Sequence, residues 1–146
     1  MKEVKRSALV PYAPEQMFAL VEDIESYPQF LPWVSAATLV ERGPQQVVGR
    51  LEMHRAGMRE VVTTRNVLTP PREITLALVS GPFRTLDGRW TFQPIGADRG
   101  TRVELTIRFE FLNPMLNLLL SRSFEKSCNE LVDAFVARAR AVYGTR

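Results

Sequence analysis

The sequence contains one histidine, His54, and one cysteine, Cys128. These two residues are the candidates for a nucleophile–base pair or for a site that binds a soft metal. A Ser/His/Asp or Cys/His site needs the base within hydrogen-bond reach of the nucleophile. His54 falls on the polar side of a predicted strand and Cys128 on the apolar stripe of a predicted helix, which favours a surface histidine and a buried thiol. One histidine and one cysteine also cannot form a Cys/His zinc site. We therefore predict no catalytic residue and no metal site.

Other chemical signatures are missing from the sequence as well. It contains no glycine-rich loop that would cradle phosphates, and its acidic cluster Glu22, Asp23 and Glu25 is typical of a solvated helix face. A single cysteine excludes an intramolecular disulfide and favours a reducing compartment. No apolar run approaches the ~20 residues of a membrane span, and no signal-peptide core follows the basic start. These patterns predict a cytoplasmic protein and do not require an enzyme.

The net charge is slightly positive, and its excess lies in the middle of the chain. There are 19 Lys and Arg against 16 Asp and Glu, a net charge of +3, with the surplus between residues 50 and 108. No block of five or six like charges occurs, so we expect no nucleic-acid arm and no DNA partner. Arginine dominates the cations, which favours phosphate or carboxylate recognition, although a compositional bias of the source genome explains it more simply.

The elements that would position any site begin with an antiparallel meander. A chain of 146 residues with 45% hydrophobic content fits one domain, predicted over residues 1–146. Its clearest element is a strand at 101–111, in which every second residue is apolar. Weaker alternation and turn signals predict further short strands near residues 4–10, 49–54, 74–78 and 86–92.

Helical segments flank this meander. A short helix begins at Pro14, and a second short turn covers 26–33. Near the other end, Asn113 and Gly144 bracket a long helix, predicted over about 114–143. Its apolar stripe is Leu116, Leu120, Phe124, Cys128, Leu131, Phe135 and Val142. A curled sheet with one apolar face needs this helix as its cover. The wedge between them is either a filled core or a ligand cavity, and periodicity does not decide which.

Four segments together resemble one protein family. They are LVPYAPEQMF at 9–18, DIESYPQFLPW at 23–33, TTRN at 63–66 and GPFRTLDGRW at 81–90. With them the chain resembles the coenzyme Q-binding branch of the START-like, polyketide cyclase/dehydrase-like (SRPBCC) superfamily, whose bacterial members include ribosome-association toxins. The resemblance implies an α+β helix-grip fold: a seven-stranded curled antiparallel sheet around a long C-terminal helix, with two short helices after strand one. It also implies a hydrophobic cavity for a lipid or polyprenyl quinone.

The resemblance nominates ligand-binding residues at the cavity or its mouth. They are aromatic or aliphatic residues of the second short helix, the Gly-Pro turn, one strand and the first half of the long helix: Trp33, Phe83, Trp90, Phe92, Leu116, Leu120 and Phe124. For each of them, plain core packing is the alternative interpretation.

Arg65 is a further candidate whose direction the sequence leaves open. If the odd-numbered residues of 61–67 face inward, Arg65 does too, and it must then pair with an acid or with a polar ligand head such as a quinone carbonyl. If the even-numbered residues of 62–68 face inward instead, Arg65 points to solvent.

The start of the long helix is apolar on more of its circumference than one stripe needs. With Leu116 and Leu120 facing the sheet, Leu118 and Leu119 turn aside. A hydrophobic ligand entering at this end, or a membrane surface delivering it, would cover them, and Leu119 therefore joins the ligand-binding candidates. The Trp33 segment or a second subunit is the alternative cover.

Two functions follow from these expectations. The first is non-enzymatic binding of ubiquinone in support of respiration, with no other cofactor, by a cytoplasmic protein that also contacts the inner face of the membrane peripherally. The second is a type II toxin that binds ribosomal subunits through outer-face arginines and blocks their association; the candidates are Arg50, Arg59, Arg89, Arg102 and Arg108. Acidic residues interleave with these arginines and dilute any RNA-binding field, which favours the carrier. Cyclase or dehydrase chemistry comes third, because a fold does not confer it.

Overall fold

The computed structural model describes residues 1–55, 57–97 and 99–144. The predicted domain of 1–146 thus includes four residues outside the described ones: Ala56, Asp98, Thr145 and Arg146. In the described part of the chain, seven strands and three helices follow one another in the predicted order. They are β1 (Lys2–Val10), α1 (Pro14–Glu22), a 3-10 helix (Ile24–Gln29), β2 (Val34–Arg42), β3 (Gln46–Arg55), β4 (Met58–Thr69), β5 (Glu73–Ser80), β6 (Phe83–Pro94), β7 (Thr101–Phe111) and α2 (Pro114–Tyr143).

The strands form one antiparallel sheet in the order β1-β7-β6-β5-β4-β3-β2. Strands β2 to β7 are therefore a meander, and β1 pairs with the last strand, placing Val4 opposite Ile107. Register shifts place extra residues on β2, β5 and β6, and such bulges increase the local twist of a sheet. The predicted curled antiparallel sheet around a long helix is confirmed.

Strand β7 shows why the alternation in the sequence was informative. Its five alternate apolar residues are each at most 4% exposed: Val103, Leu105, Ile107, Phe109 and Phe111. Between them, Arg102 and Arg108 lie on the exposed face. One face of β7 therefore belongs to the core and the other to solvent, as the binary pattern predicts.

Helix α2 begins and ends at the predicted caps. The Asn113 side chain accepts a hydrogen bond from the Leu116 amide at 2.9 Å, and Gly144 at φ +84° ends the helix. Its buried face steps through Cys128, Val132, Phe135 and Ala139. Val142, seven residues after Phe135, lies within about 20° of it around the helix, but it stands in the last turn of α2 and is 49% exposed. The expectation that the apolar stripe is buried as far as Val142 is therefore wrong.

Candidate functional site

A cavity lies between the concave face of the sheet and α2. It measures about 900 Å³ including its opening to solvent. The residues around it are predominantly apolar and come from the 3-10 helix and its following loop, from β2 to β7 and from α2: Ile24, Tyr27, Leu31, Trp33, Val34, Gly49, Leu51, Met53, Val62, Thr64, Asn66, Leu76, Leu86, Asp87, Trp90, Ile107, Phe124, Ser127, Cys128, Leu131 and Phe135. We call this space the cavity.

The cavity exists because α2 does not cover the sheet evenly. The helix packs mainly against β7, β1 and α1, at one side of the curl. Strands β3 to β5 curve away from it, so their inward side chains, such as Leu51, Val62 and Leu76, face open space. Gly49 lets the 3-10 helix approach closely, since a Cβ at this position would stand 2.7 Å from the Ile24 Cδ1 atom. The segment between α1 and β2, which includes the 3-10 helix, therefore forms a further wall of the cavity.

An aromatic cluster forms the floor of the cavity. Phe135 of α2 meets Tyr27, Phe30 and Trp90 at centroid distances of 5.4, 5.1 and 5.2 Å, in edge-to-face geometry. The Tyr27 hydroxyl donates to the Val21 carbonyl oxygen. Burial, with a smaller contribution from Asp23, raises the pKa of Tyr27 well above its usual range. The Tyr27 hydroxyl is therefore neutral, and its proton is held in this internal hydrogen bond.

A second concavity, of about 430 Å³ including open solvent, adjoins the cavity, and we call it the mouth. Both spaces share Trp33, Met53, Phe124 and Ser127. The mouth adds residues from the ends of β3, β4, β6 and β7, from the β5–β6 connection and from α2: His54, Arg55, Glu60, Pro82, Phe83, Phe111, Leu120 and Ser123. Four residues of the mouth carry phenyl or indole rings: Trp33, Phe83, Phe111 and Phe124.

Arg55 ties the sheet to α2 beside the mouth. Its guanidinium donates to the Ser127 hydroxyl oxygen at 2.5 Å and to the Glu130 carboxylate at 3.1 Å. The same group lies 5.2 Å from the centroid of the Trp33 ring, within cation–π distance. Three partners therefore satisfy this half-buried cation without any ligand.

Two polar side chains interrupt the apolar wall on β4. Asn66 is 5% exposed, and its Oδ1 accepts a hydrogen bond from the Thr64 hydroxyl at 2.8 Å. Both side chains lie on the cavity wall beside Val62. Neither residue was predicted as part of a site, because the alternation along this strand leaves open which of its faces points inward.

The structure brings together five of the nine predicted ligand-binding residues. Trp33, Trp90 and Phe124 line the cavity, and Phe83 and Leu120 line the mouth. Phe92, fully buried, packs between Phe18 and Trp90 at 5.7 and 6.2 Å and does not line either space. Leu116 packs against the core outside both spaces. Plain core packing describes Phe92 and Leu116.

The two remaining candidates, Arg65 and Leu119, lie outside the cavity. Arg65 is exposed on the outer face of the sheet, because β4 turns its even-numbered residues from 62 to 68 inward. Leu119 is 54% exposed on α2 and does not line the mouth. Arg65 thus takes the outward alternative that the sequence left open, and Leu119 turns away from the sheet as expected, which leaves it a candidate for the entry end of α2 only.

His54 and Cys128 lie in different environments and do not form a nucleophile–base pair. His54 is exposed, whereas Cys128 is 2% exposed and its pKa is raised from 9.0 to about 12, first by burial and then by Glu125. Among the described residues, no group of three or more His, Cys, Asp or Glu side chains could hold a metal ion. No described helix is long and apolar enough to cross a membrane.

The Cys128 thiol gives a prediction about reactivity and pH. At pH 8 it stays protonated in the folded state, so we expect a disulfide reagent such as Ellman's reagent to label it only after unfolding. Above pH 9.0 the unfolded chain releases the thiol proton while the folded chain keeps it up to about pH 12. This thiol therefore lowers the stability as the pH rises through that window. Rapid stoichiometric labelling of the native protein, with denatured protein as the control, would contradict the burial.

The family described as polyketide cyclase / dehydrase and lipid transport matches residues 10–136. The ribosome association toxin RatA of Escherichia coli K12 is 40% identical over 146 residues, which is 100% of this chain and 92% of that protein. The mitochondrial coenzyme Q-binding protein COQ10 of Drosophila melanogaster is 24% identical over 138 residues, 92% of this chain and 57% of that protein. Among solved structures, the Zhui aromatase/cyclase of a Streptomyces species has a TM-score of 0.86 at 19% identity, covering 99% of both chains. That structure shows the shared fold.

Proposed function

This chain belongs to the polyketide cyclase/dehydrase and lipid transport family, and we propose that it is a non-enzymatic carrier that holds ubiquinone in its cavity in support of respiration. The observation that carries the proposal is the predominantly aromatic and aliphatic lining of the cavity between the sheet and α2. Binding sites for small hydrophobic molecules are typically concave, mostly apolar spaces with few polar groups.

The side chains around the cavity support binding rather than catalysis. The Cys128 thiol stays protonated at neutral pH because burial raises its pKa to about 12. The Tyr27 hydroxyl donates to Val21, and the Ser127 hydroxyl donates to the Ser123 carbonyl oxygen. The two hydroxyls hold their protons in internal hydrogen bonds and the thiol keeps its own through burial, so all three are poorly placed as acids or bases for a bound substrate. The name of the Drosophila relative, a coenzyme Q-binding protein, points to the same class of ligand.

Native mass spectrometry of the protein purified from its own host, followed by lipid extraction, tests this proposal. We expect a bound species whose mass and ultraviolet spectrum are those of a polyprenyl quinone. Gentle purification that yields only ligand-free protein, combined with no uptake of added short-chain ubiquinone, would overturn it.

Ribosome association is the second candidate, and it is favoured by the name and 40% identity of the Escherichia coli relative. Four of the five arginines proposed for it lie in ion pairs on the outer face of the sheet: Arg59 with Glu52, Arg89 with Glu73, Arg102 with Glu104 and Arg108 with Asp87. Among the described residues Arg50 has no ion pair, and Arg65, now placed outward, has none either. Because the acidic partners offset the charges of these arginines, the positive electrostatic potential that this face offers to RNA is small while the ion pairs are closed.

Co-sedimentation with ribosomal subunits at increasing salt distinguishes the two candidates. Binding through arginines to RNA phosphates should weaken steeply as salt rises, because each neutralised phosphate releases counterions. No co-sedimentation at low salt would exclude the ribosomal role and leave the carrier.

We propose that the ligand enters from a membrane surface at the start of α2. An exposed apolar group surrounds this end: Leu112, Met115, Leu118 and Leu119, which are 53%, 69%, 83% and 54% exposed. It adjoins Leu120, a residue of the mouth. Arg122, one turn beyond Leu118, is exposed and without an ion pair among the described residues, so it can approach anionic headgroups.

Replacing Leu119 by Gln tests this entry route. Since the side chain is 54% exposed, we expect a change in unfolding free energy within about 0.5 kcal/mol. Sedimentation with vesicles containing phosphatidylglycerol should fall several-fold, because less apolar surface can enter the bilayer interface. The matched control is Leu9→Gln on β1, where Leu9 is 71% exposed, and it should leave vesicle binding unchanged. Equal vesicle binding by wild type and Leu119→Gln would refute entry at this end of α2.

A further inference from the structure

The polar pair on β4 has a hydrogen-bonding capacity that the protein itself does not use. The Thr64 hydroxyl donates to Asn66 Oδ1, which leaves both protons of the Asn66 Nδ2 amide without an acceptor among the described residues. In the described part of the chain, every fully enclosed side-chain nitrogen or oxygen has a hydrogen-bond partner. The Asn66 amide therefore borders open space, and the space it borders is the cavity.

A second donor borders the same cavity. Trp90 lies on its wall and is 3% exposed, and its indole N–H has no acceptor among the residues that the structure describes. By the same reasoning this nitrogen is open to the cavity rather than sealed in the core. The indole N–H of Trp33, also on the cavity wall, likewise has no acceptor among the described residues. In a predominantly apolar space, unpaired N–H donors favour a ligand that brings hydrogen-bond acceptors.

We propose that Asn66, oriented by Thr64 and assisted by Trp90, is the anchor for a carbonyl oxygen on the head of the ligand. This inference rests on the proposed carrier function and specifies the chemistry that the cavity selects. A pure hydrocarbon would cover the Asn66 amide and leave its donors unpaired, whereas a carbonyl restores the hydrogen bonds lost to water. The head would then lie at β4, and the apolar tail would follow the aromatic lining towards Phe124 and the mouth.

The hydroxyl of Thr64 has a positioning role in this arrangement. Because it holds Oδ1 of Asn66, it turns the Nδ2 donors to the ligand. The pair occupies alternate positions of one strand, so the rigid sheet fixes its geometry. Arg55, a cation of the mouth, is already bonded to Ser127 and Glu130 and is not needed to hold the head.

A matched pair of ligands tests the anchor. Decylubiquinone carries ring carbonyls, and decylbenzene has the same tail on a ring without oxygen. We expect Asn66→Leu to weaken decylubiquinone binding about tenfold and to leave decylbenzene binding unchanged or improved. Asn129→Leu, a similar change on α2 outside the cavity, should affect neither ligand.

Proton–nitrogen correlation spectra of the wild type provide a readout that needs no variant. Decylubiquinone should shift the Asn66 amide and Trp90 indole proton signals downfield, as expected for new hydrogen bonds, and decylbenzene should not. Equal loss of both ligands in Asn66→Leu, or no downfield shift with bound decylubiquinone, overturns the anchor and leaves the carrier function standing. Failure of wild-type protein to bind either ligand overturns the carrier function itself.

Discussion

Replacing Leu51 by Trp is expected to abolish ligand binding in a protein that remains folded. Leu51 points from β3 into the cavity and packs against buried core residues. The added indole ring would occupy the space that the ligand needs. We expect the affinity for a short-chain ubiquinone to fall about a hundredfold, equivalent to about 2.7 kcal/mol of lost binding.

The stability of the Leu51→Trp variant separates a filled cavity from a damaged core. Inserting bulk into a well-packed core costs about 1–3 kcal/mol, but a ring that enters empty space should cost less or even stabilise. The control is Leu9→Trp, which places the same ring at the 71% exposed position of Leu9 on β1. It should leave the ubiquinone affinity and the free energy of unfolding unchanged. Titration calorimetry measures the affinity, and urea unfolding measures the stability. Full ubiquinone binding by a folded Leu51→Trp protein would show that the ligand lies elsewhere.

Replacing Phe135 by Ala is expected to lower the free energy of unfolding by a larger amount than any of the other substitutions. The Phe135 ring is 1% exposed and touches Tyr27, Phe30 and Trp90, so it joins α2 to both walls of the cavity. Truncation of a buried phenylalanine costs about 3–5 kcal/mol in transfer and cavity terms. Because the cavity is adjacent, its walls cannot close the new void completely.

Urea unfolding followed by tryptophan fluorescence measures this loss. Val142→Ala is a control on the same helix, since Val142 is 49% exposed, and it should cost about 0.5 kcal/mol or less. A loss below about 1 kcal/mol for Phe135→Ala would mean that the aromatic cluster does not hold α2 against the sheet.

The fold was predictable from the sequence because its main elements carry strong periodic signals. Strand β7 alternates without a break from 101 to 111, and α2 has an asparagine cap, an apolar stripe and a terminal glycine. The alternation and the stripe each indicate which face of the element is buried, even when the element that packs against it is unknown. Val142 follows the same spacing but is exposed, because it stands in the last turn of α2, and periodicity alone does not tell where along a helix the covering sheet ends.

The candidate site was only partly predictable, since it depends on the direction of single side chains. On β4 both faces contain valine and threonine, so alternation could not decide between Arg65 and Asn66. The neighbours Trp90 and Phe92 lie on one face of β6, yet only Trp90 borders the cavity. That difference arises from Phe18 of α1, which packs against Phe92, a tertiary contact with no local sequence signal.

The pairing of β1 with β7 has a consequence for how the chain acquires its structure during synthesis. Lys2 lies opposite Phe109, so the first strand made must wait for more than a hundred residues before its partner exists. At roughly 5–20 residues per second, that wait lasts on the order of 5–20 s. Until then the apolar side of the nascent meander is uncovered, and α2, which seals it, is made later still. Folding must therefore be completed late, and the growing chain presents a hydrophobic surface that chaperones can bind.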